Sequence, residues 1–237
     1  MAQEPDPDLT SEELHKEVLA DITKALIDRQ GLILGRFKLR GQRTTPYLLR
    51  LDRLTCGQDC FAIARAMAVT IRAHHGDELD LVWGTPYGGI PLAVMTANYY
   101  SLLVGRETHW GYGRKPTDPV SEDPPDPVLA PPDWTGAKAV IVDDLFVEGE
   151  GIRQQISDLK RGGADVVGAV TLIDRCERSR GKFFSDLIHR DTGVPVVGCV
   201  TLPEILTTMD PKLLPEDQRE VLLQHLSPEA KAYQSGG

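Results

Sequence analysis

Basic residues are in the minority in this chain, with 26 Lys and Arg against 35 Asp and Glu and a formal net charge of −9. This balance disfavours binding to nucleic acid or to an anionic membrane surface, because both are themselves negatively charged. No apolar run is long enough to span a membrane, and the acidic N-terminal segment is unlike a signal peptide. We therefore expect a cytoplasmic protein that binds neither nucleic acid nor membrane.

Cysteine is also scarce, at positions Cys56, Cys60, Cys176 and Cys199. Cys56 and Cys60 lie four residues apart, but no second Cys/His pair follows at the spacing of a zinc site. The pattern predicts reduced thiols, and we assign no role to them.

The length and the order of the predicted elements indicate one α/β domain. The 237 residues, 41% hydrophobic and 26% charged, are enough to bury a substantial core. Strand-like segments alternate with helical ones, which is typical of a mostly parallel sheet. One strand is expected over 101–104, directly after a helix. We expect a disordered acidic segment over 1–8, a single domain over 9–230 and a tail over 231–237.

Two adjacent carboxylates, Asp143 and Asp144, follow the apolar run 139–142. The carboxyl ends of strands in open α/β sheets form ligand crevices, where carboxylates suit sugar hydroxyls or a hydrated Mg²⁺. The turn that follows carries Glu148 and Glu150, whose charges would repel an anion. The alternative is that both glutamates are merely exposed turn residues.

The strand, the two aspartates, the turn and the helix start resemble the phosphoribosyl-diphosphate (PRPP) signature of the type I phosphoribosyltransferases. In that signature the turn usually runs Thr-x-Gly-Thr or Thr-Gly-Gly-Ser. The chain matches it at both aspartates and Gly149, and departs from it at Val147, Glu148 and Glu150. The resemblance implies an α/β fold of the type I phosphoribosyltransferase kind. That fold has a mostly parallel sheet flanked by helices, a small hood from the N- and C-terminal segments, and a long mobile loop.

Within that family the chain is most similar to the orotate phosphoribosyltransferases, through four segments in the family's order. They are 37–47 (Phe-Lys-Leu-Arg-Gly-Gln-Arg-Thr-Thr-Pro-Tyr), the glycine-rich 84–93, 172–178 (Leu-Ile-Asp-Arg-Cys-Glu-Arg) and 200–202. The resemblance implies a homodimer. It also implies Mg²⁺ that arrives with the substrate near the two aspartates, with no direct protein ligand set.

The resemblance also assigns substrate contacts. The ribose and its phosphate would lie on Asp143, Asp144 and the turn residues Glu148, Gly149, Glu150 and Gly151. The diphosphate would contact Arg40 and the backbone of Tyr87, Gly88 and Gly89, the base would contact Arg175, and Tyr47 would be a further substrate-binding residue. Two alternatives stay open. The glycines can form a turn without a ligand, and Arg175 can pair with Asp174 or Glu177 on the surface.

The family's mobile loop carries cationic catalytic residues, and we expect it over about 106–135. Arg106 would take the position of its first lysine and His109 that of its loop lysine, with Lys115 further along. A histidine there is cationic only part of the time near neutral pH. The following segment, 116–132, is rich in Pro and Asp and predicts a long loop.

The resemblance implies transfer of a phosphoribosyl group from PRPP to orotate or a similar acidic base, in pyrimidine nucleotide metabolism. The alternative is a repurposed or non-catalytic family member. Its turn with Glu148 and Glu150 would no longer bind PRPP, and would recognise an unphosphorylated sugar, a nucleoside or a protein partner.

Overall fold

The computed structural model describes residues 11–38, 44–114, 129–131, 133–179 and 181–226. The helices are α1 (Ser11–Asp28), α2 (Gly57–His75), α3 (Gly89–Val104), α4 (Glu150–Arg161), α5 (Phe184–Thr192), α6 (Leu202–Thr208) and α7 (Glu216–Leu226). The strands are β1 (Leu32–Lys38), β2 (Thr44–Leu49), β3 (Leu81–Gly84), β4 (His109–Tyr112), β5 (Lys138–Phe146), β6 (Asp165–Asp174), β7 (Arg178–Ser179), β8 (Lys182–Phe183) and β9 (Val196–Thr201).

Five strands form a parallel sheet in the order β4-β3-β5-β6-β9. β5 lies at its centre, and its residues 139–142 are fully buried. An apolar strand in this position needs cover on both faces, which accounts for its continuous hydrophobic run. The predicted α/β fold with a mostly parallel sheet is therefore confirmed.

Successive side chains of the central strands alternate between two apolar layers, as the two-residue period of a strand requires. Val140 and Val142 of β5 join the layer that contains α1, α2 and α3. Ala139 and Ile141 join the opposite layer with Ile152 of α4 and residues of α5. Helices therefore cover both faces, and the two ends of the strands are left for a site.

The terminal segments form the expected hood. β1 and β2 pair as an antiparallel hairpin outside the main sheet. α7 packs against β2, and α1 packs against α2 and α6. This arrangement places residues from both ends of the described chain beside the sheet.

The strand expected over 101–104 is wrong, since α3 continues through these residues. The helix ends only at Gly105, which has a left-handed conformation with φ of 69° and donates its N–H to the Ser101 carbonyl at 3.0 Å. Such a glycine is a common helix terminator. The edge strand comes later in the chain, as β4.

Several expectations fall on residues outside the described ranges: the segment 1–8, the tail 231–237, and positions 115–128 of the loop expected over 106–135. Within the described part of that loop, 109–112 form β4 and Leu129 pairs with Tyr112. None of the helices described is both long and apolar enough to cross a membrane.

Candidate functional site

The strands β3, β5 and β6 end together at one side of the sheet, which we call the carboxyl edge. Their last residues are Gly84, Phe146 and Asp174. Parallel strands present such an edge as the usual ligand crevice of an open α/β sheet. Most of the predicted site residues lie at this edge.

The glycine-rich loop between β3 and α3 lies directly against the end of β5. A Cβ atom at Gly88 would stand 2.5 Å from the Asp144 carboxyl carbon, and one at Gly89 would overlap the Val142 carbonyl. The Pro86–Tyr87 peptide bond is cis, and Tyr87 is 62% exposed. The absence of side chains at 88 and 89 is thus what allows this loop and the aspartates to touch.

Asp143 and Asp144 hold a fixed geometry through their own backbone. The Asp144 N–H donates to Asp143 Oδ1 at 3.0 Å, and the Leu145 N–H donates to Asp144 Oδ1 at 2.8 Å. Burial, and then the charge of Asp144, raise the pKa of Asp143 well above its ordinary value. The ionised form of Asp143 is therefore stabilised by ligands that donate hydrogen bonds or bring a cation.

As possible ligands for a metal ion, Asp143 and Asp144 offer two carboxylate groups. In the part of the chain described, no group of three or more His, Cys, Asp or Glu side chains is arranged to hold a metal ion. Two adjacent carboxylates nevertheless fit Mg²⁺ that keeps water and substrate oxygens as its remaining ligands. A magnesium ion here would depend on the substrate for its coordination.

Residues 147–151, which we call the acidic turn, lead from β5 into α4. Gly149 is its fixed point, with φ of 72°. A Cβ atom there would overlap Ile188 and stand 2.7 Å from the Phe146 ring. Glu148 and Glu150 are exposed, and no side chain caps the helix. The backbone N–H groups at the start of α4 and the helix dipole favour an anion, while the two glutamate charges oppose one.

Arg175 lies just beyond β6 and is buried, with 4% of the residue exposed. Its Nε donates to the Tyr47 hydroxyl at 2.7 Å, and its Nη2 donates to Glu177 Oε1 at 2.6 Å. Its guanidinium carbon lies 4.7 Å from the centre of the Tyr47 ring. The pair with Glu177 therefore forms inside the protein rather than on the surface, and Tyr47 of the hood and Arg175 of the sheet meet as one unit.

His225 of α7 is a member of this cluster that the sequence pattern did not indicate. Its ring contacts the Tyr47 ring edge-on, with centroids 6.2 Å apart. Burial lowers the pKa of His225, and the charges of Glu177 and Arg175 act on it in opposite directions. Burial has the opposite effect on the Tyr47 hydroxyl and raises its pKa. The cluster is thus a partly desolvated group of polar side chains that includes one cation, Arg175, and one carboxylate, Glu177.

Arg106 and His109 do not lie at the carboxyl edge. Arg106 Nη2 donates to Asp80 Oδ1 at 2.6 Å, beside the start of β5. His109 begins β4 and shares a row with Leu81 and Ala139. Asp143 lies four residues beyond Ala139 on β5, which is about 13 Å along the strand at the usual rise per residue. Within one chain, Arg106 and His109 therefore lie at the opposite end of the strands from the aspartates, and their catalytic role stays a prediction.

Two other predicted cations, Arg40 and Lys115, lie outside the described residues. Arg114, immediately before Lys115, is described and is half-buried. It follows the carboxyl end of β4, so it lies on the same side of the sheet as Asp143. The described chain thus brings a cation to this side through a residue that the sequence comparison had passed over.

Known proteins resemble this chain in sequence and in fold. No family model matches the chain. It is 31% identical over 181 residues to the orotate phosphoribosyltransferase of Marinobacter nauticus, which covers 76% of this chain and 82% of the relative. It is 31% identical over 215 residues to the orotate phosphoribosyltransferase of Pseudomonas fluorescens, with coverage of 90% and 94%.

Solved structures show the same fold. The orotate phosphoribosyltransferase of Francisella tularensis matches with a TM-score of 0.68 and 23% sequence identity, and covers 86% of this chain and 96% of that chain. The similarity in fold therefore extends over most of this chain.

Proposed function

Because the chain belongs to the orotate phosphoribosyltransferase family, we propose that it transfers the phosphoribosyl group of PRPP to orotate or a similar acidic base and releases diphosphate. The observation that carries the proposal is the arrangement at the carboxyl edge. Asp143 and Asp144 meet the glycine-rich loop on one strand end, and the Tyr47–Arg175 pair stands at the next. The carboxylates suit the hydroxyls of a sugar, the glycine-rich loop suits a diphosphate, and the arginine suits a planar carboxylated base.

In the proposed reaction, a ring nitrogen of the base forms a bond to C1 of the ribose while the bond from C1 to the diphosphate oxygen breaks. Asp143 and Asp144 accept hydrogen bonds from the ribose hydroxyls. The backbone of Tyr87, Gly88 and Gly89 contacts the departing diphosphate, and Arg175 orients the base. Catalysis then comes from positioning and from electrostatic stabilisation of the separating charges.

The proposal includes Mg²⁺, a homodimer and a cytoplasmic location. Mg²⁺ bound with the donor would neutralise part of the diphosphate charge beside Asp143 and Asp144. A second copy of the chain would add further cations to the carboxyl edge, beside Arg114 and Arg175. Sedimentation of the purified protein, with and without PRPP, tests the dimer.

The activity is tested by incubating the protein with PRPP, Mg²⁺ and orotate, and measuring diphosphate and the nucleotide together. Equal amounts of both products, dependent on orotate, are expected. Diphosphate without nucleotide, or neither product from folded protein, would contradict the proposed function.

Replacing the acidic turn by family-type residues is expected to tighten PRPP binding about tenfold. The variant carries Val147→Thr, Glu148→Ala and Glu150→Thr. At roughly 6 Å in water, two glutamates repel a phosphate dianion by about 3 kcal/mol, and salt screening removes about half of this. Since both side chains are exposed, the cost is far smaller than it would be in a buried site. Calorimetry measures the change in Kd.

The control for this variant is Glu78→Ala with Asp165→Thr, which removes the same charge from the opposite end of the sheet. Neither residue should affect PRPP binding. An equal gain in both variants would mean that net charge, and not the turn, limits binding. No gain in the turn variant would show that the glutamates are irrelevant to the donor.

A second candidate follows from the two exposed glutamates at the start of α4. A donor without the 5′-phosphate, such as an unphosphorylated sugar or a nucleoside, could donate hydrogen bonds to Glu148 or Glu150. Such a ligand should bind the wild type and lose affinity in the turn variant, whereas PRPP should gain affinity. The same pair of proteins therefore separates the two functions.

A further inference from the structure

Gln155 of α4 connects three parts of the molecule through one buried side chain. Only 1% of this residue is exposed. Its Oε1 accepts a hydrogen bond from the Trp83 indole N–H at 2.7 Å, and its Nε2 donates to the Arg114 carbonyl at 3.3 Å. A buried amide that is bonded on both sides fixes its neighbours relative to each other.

The chain that leaves β4 is closely fitted to Gln155 and Trp83. A Cβ atom at Gly113 would overlap Gln155 Oε1, and one at Gly111 would stand 2.8 Å from the Trp83 ring. Trp83 itself is braced by Trp134, whose ring centre is 5.7 Å away in an edge-on contact. The path of the chain up to Arg114 is therefore set by packing against these side chains.

Arg114 leaves the sheet near the level of Asp144. Tyr112 shares a row with Gly84, and Gly84 shares a row with Val142, so Arg114 and Asp144 each lie two residues beyond that row. β4 and β5 are two strands apart in the sheet, so about 10 Å separates their backbones at this level. α4 begins at Glu150 and reaches Gln155 after about 8 Å of helix. One short helix thus connects the acidic turn to the anchor of Arg114.

We infer that Gln155 is a positioning residue, which holds the backbone at Arg114, and with it the origin of this cationic side chain, at a fixed place relative to the acidic turn and Asp144. The catalytic consequence of this inference rests on the proposed function. The two hydrogen bonds of Gln155, which form the anchor, do not depend on it. The edge around Asp143, Asp144 and the acidic turn is strongly acidic, so the location of a nearby cation affects an anionic donor. A displaced cation lowers the rate more than it alters base binding.

The test is a double-mutant cycle of Gln155→Met and Arg114→Ala, with Gln154→Met as the matched control. Gln154 is the adjacent residue and donates to Asp158 within the same helix. Gln155→Met alone should lower kcat about tenfold and leave KM for orotate within about twofold. In the Arg114→Ala background the same change should cost less than about twofold, because the residue acts through Arg114. Gln154→Met should leave kcat unchanged.

Hydrogen exchange of the peptide that spans Tyr112–Arg114 tests the anchor without any need for activity. Gln155→Met should accelerate its exchange and Gln154→Met should not. Unchanged exchange in Gln155→Met, or losses that simply add in the cycle, would overturn the inference. An inactive wild type would instead contradict the proposed function, and the exchange result would then decide the anchor alone.

Discussion

Asp143→Asn is expected to lower kcat/KM for the transfer about 100-fold while raising the thermal stability of the protein at neutral and higher pH. The loss of activity follows from the loss of a charged acceptor for the ribose hydroxyls, at roughly 3 kcal/mol. Asparagine keeps the size of the side chain, so packing at the end of β5 should be preserved.

The gain in stability follows from the raised pKa of Asp143. Between the unfolded and the folded pKa, the folded state holds a proton that the unfolded state has lost, so stability falls as pH rises through that interval. Above it, the ionised carboxylate stands beside Asp144 in a partly desolvated site. Asparagine removes this electrostatic cost, so the variant gains stability while it loses activity.

Melting temperatures of both proteins across the pH range, together with steady-state kinetics, measure the two effects. Asp165→Asn is the control, because Asp165 is exposed at the opposite end of the neighbouring strand β6. It should change neither quantity. An active Asp143→Asn protein, or one that is less stable above neutral pH, would contradict the assigned role of Asp143.

Arg175→Lys is expected to lower kcat/KM for orotate about 100-fold, mainly through KM for the base. Lysine keeps the positive charge but cannot donate to Tyr47, Glu177 and a carboxylated base with one planar group. Loss of bidentate recognition at a buried site costs roughly 3 kcal/mol. PRPP binding, measured by calorimetry, should change by less than about threefold.

Arg161→Lys is the matched substitution, since Arg161 forms an exposed ion pair with Asp158 at the end of α4. It should behave like the wild type in every assay. If Arg175→Lys weakened PRPP and orotate equally, Arg175 would hold the fold of the pocket and not the base.

The sequence predicted the parts of the site that depend on local pattern. Asp143 and Asp144 follow an uninterrupted apolar strand, and Gly149 sits where the next helix must start, so both could be located by neighbours alone. Gly88 could likewise be identified from the glycine-rich turn after a strand, whereas its contact with Asp144 appears only in the structure.

The error at the edge strand arose from a short apolar run. Residues 101–104 fit a strand or the last turn of a buried helix equally well, and periodicity does not separate the two. The edge strand is β4, and Arg114 follows its carboxyl end.

Contacts between distant segments could not be predicted from pattern. The bond from Gln155 to Trp83 and the contact of His225 with Tyr47 depend on how helices pack onto the sheet and hood. A glutamine on the inner face of α4 has no local feature that names its partner. Such residues appear only once the layers are assembled.

The central claim is that the carboxyl edge binds PRPP in spite of Glu148 and Glu150, and calorimetric titration of the wild type with PRPP and Mg²⁺ tests it most directly. Binding in roughly the micromolar range is predicted, because exposed glutamates cost only about tenfold in affinity. A folded protein that shows no binding to PRPP, yet binds an unphosphorylated sugar or a nucleoside, would contradict the account.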